Sequence, residues 1–165
     1  MEILLTQTPE QIAQTAKMAK EIWSEHYRKI IGPDVVADMV AACQSEEAIA
    51  QKIKSGYRYY LVRKHDRYAA YFAILKKADG MYLDKAYVYR EFRKQGIFSK
   101  ILSFVEAECK NQGLKRIYLN VNSKNEDSIA AYRAKGFVPF ATAKNDFGNG
   151  HVFTDFVMEK QLLLV

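Results

Sequence analysis

The stretch MYLDKAYVYREFRKQGIFSKILSFVEAECKNQ, Met81 to Gln112, constrains the fold more than any other part of the chain. Tyr82 to Val88 is rich in β-forming residues, and Tyr89 to Gln95 carries no apolar period. From Ile97 the series Ile97, Ile101, Val105, Cys109 recurs every four residues, as the buried stripe of a helix does. The reading is strand, turn, helix, with Gly96 at or near the helix start. Arg90, Arg93, Lys94 and Gln95 fill the turn. Cations and the unpaired N–H groups of a first helical turn therefore converge where the helix dipole also favours negative charge. Such a turn suits a diphosphate, although one glycine among basic residues also serves as an ordinary strand-to-helix connection.

The rest of the chain falls into place around this unit. Thr8-Pro9-Glu10-Gln11 is a helix-start signal, with Thr8 as cap, Pro9 in the first turn and Gln11 able to reach back. Ile12, Ala16, Ala19, Trp23 and Tyr27 then keep helical period as far as Gly32-Pro33. A second short helix is apolar at Val35, Val36, Met39 and Val40, and Ser45 caps a third that runs to about Lys54. Trp23, His26, Tyr27 and Met39 are large groups near these breaks, suited to core packing or to the wall of a substrate site. Tyr57 to Arg63, Tyr68 to Lys76 and Met81 to Val88 form a β-meander with tight turns, hence antiparallel. Arg116 to Val121 is reached through a helical crossover and so lies parallel to its predecessor. A helix from Glu126 to Lys135 is capped by Asn125 and stopped by Gly136. Phe137 to Ala143 and His151 to Lys160 read as a closing hairpin around Asp146-Phe147-Gly148-Asn149-Gly150. The expectation is one α/β domain over residues 1–165 with a mixed sheet of about seven strands.

Composition narrows the function. A chain of 165 residues that is 49% hydrophobic supports one well-buried core. The formal charge of +6 comes from 25 basic and 19 acidic residues that are interspersed. Neither zinc-finger spacing nor an aromatic RNA-binding signature accompanies it, so no nucleic-acid partner is expected. No secretory signal and no membrane-length apolar run is read, which points to a cytoplasmic protein. Cys109 lies on the apolar stripe and reads as a small core residue rather than half of a disulfide with Cys43. His26, His65 and His151 have no ligand spacing, so no metal is expected.

Two motifs carry a resemblance. Arg93-Lys94-Gln95-Gly96-Ile97 resembles the Arg/Gln-x-x-Gly-x-Gly/Ala signature of the GNAT superfamily of N-acetyltransferases, behind the hydrophobic strand that the family places there. Asn125-Glu126-Asp127-Ser128-Ile129-Ala130-Ala131-Tyr132-Arg133-Ala134-Lys135-Gly136-Phe137 resembles the family's Asn-then-Tyr helix ending in Gly-Phe. The resemblance implies a GNAT-like α/β fold. Its mixed, mostly antiparallel central sheet of about seven strands is flanked by helices and has a V-shaped splay between the two central parallel strands. It also implies acetyl-CoA as cosubstrate in that gap. The main chain of Ala86, Tyr87 and Val88 would then bond the pantetheine as an added strand would. The N–H groups of Lys94, Gln95, Gly96, Ile97, Phe98 and Ser99 would receive the pyrophosphate. Arg93 fills the signature's Arg/Gln position, its side chain either a ligand or a brace for the turn. Phe98 stands where the family usually has Gly or Ala; its backbone N–H survives the change, and the ring can pack beside Leu102.

Acetyl transfer to an amine needs a neutral nucleophile, stabilisation of the tetrahedral oxyanion and a proton for the leaving thiolate. The resemblance assigns the last to Tyr132, whose phenol, with a reference pKa of about 10, is protonated at neutral pH. The oxyanion partner would be the Val88 amide. Asn125, two helical turns before Tyr132, would bond the pantetheine region, cap its helix, or do both. The base is left among Asp84, Glu25 and Asp155, since Asn120 or Asn122 stands where some relatives carry a glutamate. Neither cysteine sits in an activating setting, so direct transfer in a ternary complex is expected. The N-terminal helices resemble those of small-molecule GNAT enzymes, which favours a small-molecule amine or polyamine as acceptor. The alternatives are a protein or peptide N-acetyltransferase and a noncatalytic acyl-CoA-binding regulatory module. The apolar tail Leu162-Leu163-Leu164-Val165 suits cover by a neighbour, which would make a homodimer.

Overall fold

Local signals start the first helix. In the computed structural model, which describes residues 1–146 and 150–162, Thr8 caps helix α1 (Pro9–Ile31). The Gln11 N–H donates to Thr8 Oγ1 at 3.2 Å, while the Thr8 N–H donates to Gln11 Oε1 at 2.9 Å. Gly32, at φ 90°, ends α1 and leads into α2 (Pro33–Cys43); Ser45 then caps α3 (Glu46–Lys54), its Oγ accepting from the Ala48 N–H at 3.1 Å. The caps satisfy donors that a helix cannot pair internally.

The strands are β1 (Glu2–Leu5), β2 (Arg58–Lys64), β3 (Arg67–Lys77), β4 (Gly80–Val88), β5 (Arg116–Asn122), β6 (Val138–Asp146) and β7 (Val152–Gln161). Their order in the sheet is β1-β2-β3-β4-β5-β7-β6, with β4 and β5 parallel. The meander, the crossover and the closing hairpin are as the sequence implies. Strand β1 has no counterpart in the sequence expectations. Its run Ile3-Leu4-Leu5 is too short to show alternation, and it becomes a strand by pairing from Glu2↔Arg63 to Leu5↔Tyr60. Residues Phe147, Gly148 and Asn149 of the expected β6–β7 loop and Leu163, Leu164 and Val165 of the apolar tail lie outside the described residues.

The chain divides into two compact units. The first comprises Met1–Ile74 and Lys85–Phe98. Its core joins Met18, Ala19 and Ile22 of α1 and Ile49 of α3 to Tyr59, Leu61, Tyr71 and Ala73 of β2 and β3, with Tyr87 and Tyr89 packed against it. The β2–β3 hairpin turns through His65 at φ 50° and Asp66 at φ 62°, the paired left-handed residues of a tight two-residue loop.

The second unit comprises Leu75–Asp84 and Ser99–Val165. Within it Ile101, Val105 and Cys109 of α4 (Ile97–Asn111) are fully buried, as the four-residue stripe requires. Strand β5 alternates, burying Ile117, Leu119 and Val121. Helix α5 (Glu126–Ala134) follows it. The parallel ladder of β4 and β5 is Met81↔Ile117 and Tyr82↔Tyr118. A Cβ on Gly80 would meet the Arg116 carbonyl oxygen at 2.8 Å, so glycine permits this approach. Arg116 closes the same end, donating to Glu159 at 2.8 Å and Asp79 at 3.4 Å. No described helix is long and apolar enough to cross a membrane.

Ile101→Ala removes three carbons from a position with 0% exposure. Chemical denaturation should show a loss of about 2–5 kcal/mol with an unchanged denaturant slope.

Candidate active site

The turn from β4 to α4 carries most of the residues singled out above. The Tyr89 N–H donates to the Ala69 carbonyl of β3 at 2.9 Å. Successive N–H groups of a strand point to opposite edges, so those of Val88 and Ala86 face away from β3. After Tyr89 a single 3-10 turn, Arg90–Phe92, buries the Phe92 ring. Arg93 folds back and its Nε donates to the Val88 carbonyl at 3.2 Å. Its side chain is a brace on the last residue of β4. Gln95 is a second brace, Nε2 donating to the Glu91 carbonyl at 3.0 Å and Oε1 accepting from Lys64 Nζ at 2.8 Å.

With both side chains so used, the turn offers its backbone. Lys94, at φ 60°, and Gly96, at φ 80°, are left-handed, and Lys94, Gln95 and Gly96 are exposed. A Cβ on Gly96 would meet nothing within 4 Å. Glycine is present there for its backbone angle, and the space above it is open. Ile97 is buried, anchoring the first turn of α4, while Phe98 and Ser99 are half-buried. The N–H groups of that turn have no carbonyl within the helix to reach. An exposed left-handed turn, the Lys94 cation and a helix N-terminus make a fitting cradle for a diphosphate.

In the second unit, Asn125 is buried and caps α5. Its Oδ1 accepts from the Ser128 N–H at 3.2 Å and its own N–H donates to the Asn122 carbonyl at 2.9 Å. Tyr132 is half-buried on α5, its ring 5.9 Å from Phe137. The Phe137 N–H donates to the Tyr132 carbonyl at 3.1 Å, so the helix end and the Gly136 turn position the tyrosine.

The first unit also holds an open cleft of about 580 Å³ lined by Glu25, Tyr89, Arg90 and Glu91. Sequence reasoning named Glu25 as a candidate base and Arg90 as a cation of the turn, but missed Tyr89 and Glu91. The Tyr89 hydroxyl donates to Glu21 Oε2 at 2.6 Å. Burial, that bond and the charges of Glu21, Glu25 and Glu91 push the phenol well above its usual pKa, so it stays protonated. Aromatic packing sets α1 beside the strand. The Trp23 and Tyr27 rings stand 5.4 Å and 6.3 Å from the ring of Tyr87, both edge-on. Tyr87 and Tyr89, two residues apart in an extended chain, share a face. The signals in the sequence were that alternation and the spacing of Glu21 and Glu25 by one turn of α1.

The other two carboxylates named as bases are placed differently. Asp155 is buried in β7 and accepts a hydrogen bond from Asn145 Nδ2 of β6. Asp84 is half-buried in β4. Among the described residues no group of three or more His, Cys, Asp or Glu could hold a metal.

The chain belongs to the acetyltransferase (GNAT) family, whose model matches residues 17–137, and on that ground it is an acetyl-CoA-dependent N-acetyltransferase. An uncharacterised N-acetyltransferase of Mycobacterium tuberculosis is 27% identical over 135 residues, covering 81% of this chain and 86% of that protein. Among solved structures, PaiA N-acetyltransferase from Thermoplasma acidophilum, in complex with coenzyme A, superposes with a TM-score of 0.81 at 20% identity, over 98% of this chain and 99% of that one. The ribosomal-protein-S18-alanine N-acetyltransferase of Escherichia coli gives 0.69 at 18% identity, over 99% and 95%. The shared fold extends to an enzyme named for a protein acceptor, ribosomal protein S18.

Cys109 is fully buried, and burial first, then Glu106 and Glu108, push its thiol up to about 11. At pH 8 only about one part in a thousand is thiolate. A disulfide reagent should therefore titrate the half-exposed Cys43 in the native protein and reach Cys109 only in denaturant.

Proposed function

We propose that this enzyme moves the acetyl group of acetyl-CoA directly to a small-molecule amine, in one ternary complex on a single catalytic domain. The observation that carries the acceptor class is the cleft lined by Glu25 and Glu91 next to Tyr89, the residue after Val88. Carboxylates beside a phenol that stays protonated at neutral pH suit a cationic amine, and an open cleft of that size suits a small molecule.

Acetyl-CoA supplies the activated acetyl group as a thioester. The main chain of Ala86, Tyr87 and Val88 bonds the pantetheine. The N–H groups of Lys94, Gln95, Gly96, Ile97, Phe98 and Ser99 hold the pyrophosphate, with Arg93 bracing the strand end behind them. The Val88 N–H donates to the thioester carbonyl oxygen as it gains negative charge. Asn125 bonds the pantetheine region while capping α5, and Tyr132 gives its hydroxyl proton to the departing sulfur. The coenzyme A bound by the Thermoplasma enzyme supports acetyl-CoA as the cosubstrate. The buried setting of Cys109, beside Glu106 and Glu108, keeps its thiol protonated and supports transfer without a cysteine intermediate.

Acetyl-CoA, but not acetate, should raise the melting temperature, and free CoA should appear with members of an amine panel. Because the fold is shared with a protein-modifying enzyme, the panel includes a peptide with a free N-terminal alanine. Turnover of that peptide alone would replace the small-molecule reading, and no turnover with any amine would leave an acyl-CoA-binding module. Tyr132→Phe should lower kcat by about 10²-fold while sparing acetyl-CoA affinity. An unchanged kcat removes Tyr132 as the donor.

A further inference from the structure

An alkylamine with a pKa of about 10 reaches the enzyme as an ammonium and cannot attack until it loses a proton. Three carboxylates surround the Tyr89 phenol closely enough to act on its charge: Glu21, Glu25 and Glu91. Two are engaged. Glu21 accepts from the Tyr89 hydroxyl at 2.6 Å, and Glu91 is paired with Arg67 Nη2 at 2.8 Å. Glu25 lines the same cleft and makes no hydrogen bond or ion pair among the described residues. It is exposed, so its proton can leave to water. Of the other carboxylates named as bases, Asp155 is buried and bonded to Asn145, and Asp84 also has an interaction partner.

We propose that Glu25 is the general base, taking a proton from the acceptor ammonium in the cleft, and that Tyr89, held by Glu21, is a positioning residue that keeps the neighbouring carboxylate occupied. This rests on the small-molecule amine reading. The titratable and charged groups around Glu25 are the neutral Tyr89 phenol, Arg90 and the Arg67-paired Glu91 across the cleft, with Glu21 one turn before it on α1 and Arg28 and Lys29 one turn after. Among the described residues, Arg90 is the one cation of the lining. It opposes the binding of a second ammonium and favours acceptors with one amine at this point.

The protons balance. Glu25 removes one proton from R–NH3⁺, which frees the nitrogen lone pair. The nitrogen attacks the thioester carbonyl carbon, the C–N bond forms and the C–S bond breaks. Tyr132 protonates the thiolate, and the proton still in excess on nitrogen restores the Tyr132 phenol. Glu25 then releases its own proton to water, so each turnover yields amide, CoA thiol and one H⁺.

The test compares wild type and Glu25→Gln with two acceptors: a strongly basic alkylamine, and an amine of similar size already neutral at pH 7. Glu25 is exposed, so the variant should keep the wild-type melting temperature. With the alkylamine, kcat/KM at pH 7 should fall about 10²-fold, and the deficit should shrink as pH rises toward the amine's own pKa. With the neutral amine it should fall less than threefold. Equal losses with both acceptors, or no loss with either, overturn Glu25 as base while leaving the acetyltransferase reading intact. A wild type that is stabilised by acetyl-CoA but turns over neither acceptor overturns the small-molecule reading, and the base assignment with it.

Discussion

The working end of this protein depends on a reversal of backbone handedness between the last residue of β4 and the first turn of α4. Lys94 and Gly96 take positive φ there; glycine does so freely, but the Lys94 angle is costly and persists only where its surroundings hold it. The support comes from side chains. Arg93 holds the Val88 carbonyl, and Gln95 ties the Glu91 carbonyl to Lys64 of β2. Phe92, buried under the 3-10 turn with the Arg67 guanidinium 5.0 Å from its ring centre, anchors the same segment from below. A loop so braced can present N–H groups at fixed positions instead of gathering them around a ligand at entropic cost.

The same strand end organises the cleft of the first unit. Tyr87 takes the edges of Trp23 and Tyr27, and this aromatic contact seats the second half of α1. Once α1 is seated, Glu21 reaches the Tyr89 hydroxyl and Glu25 faces the cleft. Chemistry and packing are therefore coupled through alternate residues of one extended segment. Tyr87 packs, the Val88 N–H faces away from β3, and Tyr89 presents a phenol. Replacing the Tyr87 ring would loosen this seat of α1 and leave the residue's main chain in place.

Much of this was legible in the residues alone, and the reason is range. The Thr8–Gln11 capping box, the Asn125 cap and the Ile97-Ile101-Val105-Cys109 stripe each depend on residues within one or two turns, where periodicity and cap chemistry speak directly. Strand β1 was not legible, because its three apolar residues become a strand only through partners in β2, near residue 60. The Tyr89–Glu21 bond joins positions 68 apart, so no local pattern announces it. Arg93 and Gln95 show a different limit. The signature places both at the turn, but only the structure shows their side chains bracing it while the main chain of Lys94 to Gly96 stays exposed. Phe98 is the clearest departure from the family pattern, and a half-buried ring there leaves the main chain of the turn in place.

The most direct test is a backbone amide NMR titration of the labelled protein with coenzyme A. If the left-handed turn grips the diphosphate through its main chain, the amides of Lys94 to Ser99 shift most, together with those of Ala86 and Val88. Saturable binding that leaves the Lys94 to Ser99 resonances in place, with the largest shifts elsewhere, would contradict it.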